Sequence, residues 1–563
     1  MRRVLIGALL FTAAVAEGAS RVRSVRAGTP APVPVGPVIV TPEPPGCATP
    51  PALAPDTCDE GSGSYLSLSA AEVDAIARTA AKAISEPVTI AVVDRAGRVL
   101  GVLRKAGAPS TNDDLAAGVA RTAAFFSHNM APLSSRTVRF LSGIHFPPGV
   151  TNTASAALYG IENTNRGCDF NVPFVSSSQC VPRARLIAGG PCEPGNTAGC
   201  GLGIVTGKIQ PNDPDPASVN AGGVPLYRGG KLVGAIGVAG AGGDPQIAEF
   251  AAASGAFGSA GIVPVPQYPL PEPGNVFVDG IRLPFLGPDI RLDFNSNGLP
   301  IGLKRLKGTS AGTDAGAIYS VPAKHGGCAA NGYLVGPLTG SNLSFADVDA
   351  IVQRAIATAK KTRALIRLPL NSYARMVIAV ADPSDGRILA LYRMPDATVF
   401  SIDVAVAKAR NVIWFSGHDL PVPGNTAVTN RTLNFGAQPF YPPGIDSRVF
   451  DPQPGPWYQS LFVNDLARPC SQGSQLTNPN QNGIVFFAGS SPLYRGTALA
   501  GGLGVSGDGI EQDDYVTYFG AGEFLPSQSI WADQVNVNGA RLPMFKFPRQ
   551  PEGVTECGGG PCP

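Results

Sequence analysis

An α+β architecture built from two tandem domains, each an antiparallel sheet with helices packed on it, is what this sequence predicts. Three observations carry that prediction. The chain is written twice: LSLSAAEVDAI (66–76) returns as SNLSFADVDAI (341–351), and IAVVDRAGRVLGVLRKAGAP (90–109) returns as IAVADPSDGRILALYRMPDA (378–397). Each copy runs through the same order of helix, hairpin, helix, hairpin, helix, which is the pattern of a layered α+β unit. The duplicated stretch is about 220 residues long, a usual size for a domain, and two copies of mixed secondary structure make paired globular domains and not a solenoid.

The elements follow in order. Ser69 supplies an N-cap with Glu72 three residues on, and Val73, Ile76, Ala77 and Ala80 form the apolar stripe of an opening helix; Ser344, Asp347, Val348, Ile351 and Ala355 repeat it. Val88–Val93 and Val99–Arg104 are β-rich runs around Asp94-Arg95-Ala96-Gly97, a hairpin signal, and Met376–Ala381 with Ile388–Arg393 around Asp382–Gly386 says the same. A second helix is expected over Asn112–Ser127 and over Ser401–Ser416. A long loop then leads to a hairpin whose last strand is Gly-rich, GGVPLYRGGKLVGAIGVAG (222–240) answering SSPLYRGTALAGGLGVSG (490–507).

The expected boundaries are a signal peptide over 1–16, a Pro-rich segment over 17–62, a first domain over 63–290 with a Cys-rich insertion at 151–221, a linker over 291–338, a second domain over 339–548 and a tail over 549–563. The leader reading rests on the arginine pair, the short apolar run and the small residues Ala14-Val15-Ala16. It makes the protein an exported one, periplasmic or extracellular, and no later stretch approaches the roughly 20 apolar residues of a membrane span. Ten cysteines fit an oxidising compartment. Cys168, Cys180, Cys192 and Cys200 crowd the insertion without the close pairs that zinc prefers, which favours disulfides. A formal charge of +2 with 15% charged residues leaves no basic stripe, so nucleic acid is not an expected partner.

The motif order LSxxxxDxI, IAVxDxxGRxL, SIDVAVAKAR (401–410) and GGVPLYRGGKLVGAIGVAG (222–240), closed by GVSGDGIEQDD (504–514), resembles the GlcG/HbpS family. That resemblance implies haem or another tetrapyrrole as cofactor, oligomers or a protein partner, and in some members slow peroxide-dependent haem degradation. The family's Lys-Ala-x-Thr motif, whose threonine is linked to haem, falls on Val119-Ala120-Arg121-Thr122 and on Lys408-Ala409-Arg410-Asn411, so neither copy is intact. Four histidines exist, and His128 and His418 recur just past the second helix of each copy, as axial haem ligands would. A histidine at a helix C-terminus is the alternative. Gly237, Gly240, Gly504 and Gly507 lie on the last strand, where they let backbone approach either a ligand or a neighbouring element. Arg136 and Arg431 recur in what reads as long loops, and Glu511, Asp513 and Asp514 as first-turn charges of the closing helix. No hydrolase motif is present. The function expected is therefore binding of a small molecule, haem or another tetrapyrrole by the resemblance, with a ligand-free interaction scaffold as the alternative and slow peroxide-dependent haem degradation as a further one.

Overall fold

The computed structural model describes residues 57–59, 68–142, 220–266, 277–278, 281–320, 329–367, 372–416, 420–439, 454–468, 480–537 and 539–552, with a few single residues between them. The leader, nearly all of the Pro-rich segment and of the Cys-rich insertion, His418, both Pro-Pro-Gly motifs and the end of the tail lie outside these. Cys470 is disulfide-bonded, and the connectivity of the other cysteines lies outside the described residues.

A short strand β1 (Thr57–Cys58) precedes the first repeat, which runs α1 (Ala70–Ala83), β2 (Thr89–Asp94), β3 (Val99–Lys105), α2 (Asn112–Phe126), α3 (Ser135–Ser142), β4 (Gly223–Arg228), β5 (Lys231–Ala239), α4 (Pro245–Gly255) and β6 (Ile262–Val263). Two small ribbons follow, β7 (Phe277–Val278) with β8 (Ile281–Arg282) and β9 (Leu292–Phe294) with β10 (Pro300–Leu303), then β11 (Gly316–Ser320) and β12 (Ala330–Val335). The second repeat runs α5 (Phe345–Ala359), β13 (Val377–Ala381), β14 (Ile388–Arg393), α6 (Ser401–Phe415), α7 (Asn430–Ala437), a π-helical turn leading into α8 (Asn464–Ala467), β15 (Ser490–Arg495), β16 (Ala498–Ser506) and α9 (Ile510–Ala521), and a ribbon β17 (Asn536–Val537) with β18 (Ala540–Arg541) ends it. The expected helix–hairpin–helix–hairpin–helix order is present in both copies.

Each repeat builds a six-stranded antiparallel sheet, in the orders β11-β3-β2-β5-β4-β6 and β1-β12-β14-β13-β16-β15. Matching registers show the duplication in three dimensions: Ala91 pairs with Gly237 and Ala379 with Gly504. Both outer strands next to β3 and β14 come from outside the repeats as delimited by sequence. The 291–338 segment gives β11 to the first sheet and β12 to the second, and β1 joins the second sheet by pairing Thr57 with Asn331.

Helices cover both faces. Along β2, Ile90 and Val92 pack with α1 and α4 residues such as Ile76, Ala80 and Ala252, whereas Ala91 packs with Ala116 and Ala117 of α2. The alternation is the period of two that a strand buried on both faces displays. The opening helices are held at their starts as the sequence predicts: Ser69 N–H donates to Glu72 Oε2 at 2.8 Å and Glu72 N–H to Ser69 Oγ at 3.3 Å, and Ser344 with Asp347 repeats the box.

Candidate functional site

The C-terminal end of α2 carries Phe125 and Phe126, and this end meets the turn that precedes α6. The Phe125 carbonyl accepts from Val399 N–H at 3.0 Å and Phe400 N–H at 3.3 Å, and the Phe126 and Phe400 rings stack with centroids 3.9 Å apart. Two helix ends with unsatisfied backbone groups are thus joined across the repeats. Asn165 adds to the seam by donating to the Phe400 carbonyl at 2.9 Å and to Asp403.

Beside the stacked rings lies a buried ion network that also crosses the seam. Arg95 of the first repeat donates to Asp396 of the second at 2.5 Å and stands 3.1 Å from Asp59. Arg367 bridges Asp396 at 2.9 Å and Asp508 at 2.5 Å. Asp59 also pairs with Arg393. Burial alone would raise the Asp396 carboxyl, but the Arg367 and Arg95 guanidiniums override it and hold it far below the usual carboxylate range. Burial raises Asp508, with Arg367 acting against it.

His128 sits inside this network, fully buried. Its Nδ1 accepts from Met130 N–H at 3.3 Å, which leaves the proton on Nε2, 3.8 Å from Asp508 Oδ1. Burial first, and Arg367 second, push its pKa well below the ordinary value, so the ring is neutral. Nε2 has no hydrogen-bond partner among the described residues, and His128 is not one of the residues lining the cavity described below. The recurrence of histidine past the second helix is not positional, for aligning the repeats by Ser127 and Ser416 puts Gly417 and not His418 opposite His128.

Thr122 and Asn411 occupy equivalent places in α2 and α6 and both are fully buried. The Thr122 hydroxyl donates to the Gly118 carbonyl at 3.1 Å, one turn back. Asn411 donates to Gln472 at 2.8 Å and to the Gly483 carbonyl at 2.9 Å. Both are engaged in interior hydrogen bonding, and neither lines the cavity described below. Gly237 and Gly504 are likewise packing positions. A Cβ on Gly237 would stand 2.1 Å from the Ala116 carbonyl oxygen, and one on Gly504 2.1 Å from that of Ala405, so the glycines let α2 and α6 lie directly on the sheet. Gly240, at φ +95°, approaches the Asn112 side chain, and Gly507 approaches the Arg375 carbonyl. Of the four glycines only Gly507 reaches the cavity.

That cavity, about 100 Å³, lies at the seam. Phe126, Leu133, Leu141 and Ile161 form its wall from the first repeat; Phe400, Phe487, Leu365, Gly507, Gly509 and the first turn of α9, Ile510 to Asp513, form it from the second. Its polar end is Gln512 and Asp513, and each has a buried oxygen, Oε1 and Oδ1, without a hydrogen-bond partner among the described residues. Behind Asp513 stands Lys408, whose Nζ donates to Asp513 Oδ2 at 3.0 Å and to the Val505 carbonyl at 2.7 Å. Burial raises Asp513 to about 7 against the pull of Lys408, and burial lowers Lys408 against the pull of Asp513.

Arg136 and Arg431, expected in loops, lie on the short helices α3 and α7. There Arg136 forks onto Glu249 with two bonds of 2.7 Å and Arg431 bonds Asp514, tying each helix to the closing one. Of the acidic residues of α9, Asp513 pairs with the buried Lys408 and Asp514 with the part-buried Arg431, while Glu511 keeps an exposed partner in Lys546. Sequence reasoning missed Asp396, Arg367 and Asp508, which stand far apart along the chain. It could have found the Lys408–Asp513 pair, since the first repeat has Val119 and Ala248 at the matching places.

The family profile described as "Haem degrading protein HbpS-like" matches residues 67–174 and 343–521. Among solved structures, a PduOC–heme complex is similar at 23% identity, over 32% of this chain and 92% of that one, with a TM-score of 0.20. The Klebsiella pneumoniae protein ORFY is similar at 20% identity, over 31% of this chain and 86% of that one, with a TM-score of 0.18. No curated protein matches the chain significantly.

Proposed function

Because the chain belongs to the HbpS-like family in both of its repeats, we propose that it is a small-ligand-binding protein whose ligand sits in the cavity at the seam. One observation carries this reading. Residues from both repeats enclose an apolar space that ends in two buried oxygens without partners among the described residues. Native interiors satisfy nearly all such atoms, and an apolar pocket with a few convergent polar groups is the ordinary form of a ligand site.

Haem or another tetrapyrrole is the ligand that the family description brings to this chain. The cavity as it stands does not fit that group. Its volume of about 100 Å³ is below the roughly 300 Å³ at which sites for drug-sized ligands begin. No imidazole, thiolate or thioether is among its lining residues, and His128 is enclosed in the ion network. No haem ligation is therefore assigned to these residues. His418 is the recurring histidine left to test. Haemin added to the purified protein checks the tetrapyrrole reading: a saturable Soret shift lost in His418→Ala assigns haem to this chain, and a spectrum identical to free haemin at every ratio leaves the cavity to a smaller ligand. The scaffold reading has the seam itself in its favour, since the ion network holds the repeats together without any ligand. Export is part of the proposal and rests on the N-terminal run of residues 1–16; cell fractionation of the full chain decides it.

A further inference from the structure

Lys408 and Asp513 form a buried ion pair that only one repeat possesses. The matching places in the first repeat are Val119 and Ala248, and the geometry shows the match: a Cβ on Gly222 would touch Ala248, and one on Gly489 would touch Asp513 and Lys408. A single buried charge left unpaired is costly, whereas an apolar pair in the same place is tolerated. The first repeat demonstrates that tolerance, because it keeps the same sheet and helices with valine and alanine there. The fold thus has no need of the pair, and its presence beside the cavity asks for another cause.

Only half of the Asp513 carboxylate is engaged. Lys408 holds Oδ2, Phe487 lies beneath the ammonium with its centroid 4.8 Å from Nζ, and Oδ1 has no hydrogen-bond partner among the described residues. Asp513 is 2% exposed and Gln512, with its own unpartnered oxygen, 1%. Both line the cavity, so an occupant meets acceptors at this end and a lining that is mostly apolar elsewhere, with Arg363, Ser506 and Glu511 as its other polar residues. The charges around the space balance. Lys408 pairs with Asp513 and Lys546 with Glu511, so each carboxylate at this end already has its cation, and Arg363 donates to the Arg549 and Gln550 carbonyls; neither a cation nor an anion finds an unmatched charge here. The exposed amides at the start of α9 would attract an anion, but Glu511 and Asp513 already stand on that turn.

We propose that the polar end of the seam cavity is a docking point for a small uncharged molecule, a compact apolar body carrying one N–H or O–H group that donates to Asp513 Oδ1. Its size follows from the volume. A cavity of about 150 Å³ holds the six heavy atoms of benzene, so about 100 Å³ suits a body of about four to five heavy atoms. This rests on the reading of the cavity as a ligand site and names the class of ligand that the site takes.

Three probes of similar size decide the matter by calorimetric titration of the full chain at about pH 9, above the Asp513 pKa of about 7 so that its carboxylate is ionised: pyrrole, whose N–H donates, furan, which has the same ring without a donor, and propionate, an anion. A hydrogen bond to a charged acceptor is worth about tenfold to a hundredfold in affinity. Pyrrole should therefore bind at least tenfold tighter than furan. The double variant Lys408→Val/Asp513→Ala, which copies the first repeat, should lose that preference while still binding furan. Equal binding of pyrrole and furan by the unaltered protein overturns the donor assignment and leaves the cavity reading standing. Tighter binding of propionate overturns it in favour of an anion site. Binding of neither ring sinks the cavity reading itself. Should the double variant fail to fold, the ratio of pyrrole to furan in the unaltered protein still decides.

Discussion

Replacing Gly504 by alanine tests whether the glycines of the last strand serve packing or a ligand. The added Cβ would stand 2.1 Å from the Ala405 carbonyl oxygen and 2.6 Å from the Ala409 nitrogen, both backbone atoms of α6. Neither can rotate aside, so the helix must retreat by about 1 Å from the sheet to restore ordinary contact, in an interior packed as densely as a crystal. A gap of that size forfeits a quarter to a half of the dispersion energy of each contact along the interface. α6 has fourteen buried residues, and the expected loss lies at the upper end of over-packing effects, about 3 kcal/mol. Gly237→Ala meets Ala116 O at 2.1 Å and Ala120 N at 2.6 Å and should cost the same. The control is Gly243→Ala, whose Cβ meets nothing within 4 Å and which should stay within about 0.5 kcal/mol. Urea unfolding followed by circular dichroism reads all three. A Gly504→Ala protein that unfolds at the same midpoint and slope as the parent would refute the packing assignment.

The seam makes two further predictions. Arg367→Met leaves Asp396 with Arg95 but takes from the buried Asp508 the guanidinium it pairs with, and breaking a buried pair costs about 3 to 5 kcal/mol; Arg495→Met removes an exposed partner of Asp347 and should cost under about 1 kcal/mol in the same urea assay. The Lys408–Asp513 pair sets a pH dependence. The folded pKa of Asp513, about 7, lies above the ordinary 3.8, so between these values the folded chain binds the proton more tightly than the unfolded one, and this group's contribution to stability falls as pH rises from about 4 to about 7. Thermal unfolding of the parent measured against Lys408→Val/Asp513→Ala should show the parent losing ground over that window; parallel curves would contradict the raised pKa.

Much of each repeat was legible because its signals are local. The Ser69–Glu72 and Ser344–Asp347 boxes, the turns at Gly97 and Gly386 and the strand runs each depend on residues a few positions apart. The short helices α3 and α7 escaped notice because SRTVRFLS and NRTLNFGA are too brief for a periodic stripe and α7 is capped by a threonine pair, Thr429 with Thr432. The site was less legible still. Its ion network joins residues 59, 95, 128, 367, 396 and 508, a set that no spacing rule connects, and its cavity exists only where the repeats meet. Comparing the two copies position by position held the one usable clue, since Lys408 and Asp513 differ together from Val119 and Ala248.

That the repeats share one ligand site is tested most directly by filling the cavity from its first-repeat wall. Leu133→Trp puts a larger side chain into the cavity that Leu133 lines while leaving Lys408 and Asp513 in place, and the affinity for furan is then compared with that of the parent. The account predicts loss of furan binding in a protein whose circular dichroism is unchanged. Furan bound with parental affinity by that variant would contradict it, and would move the site away from the seam.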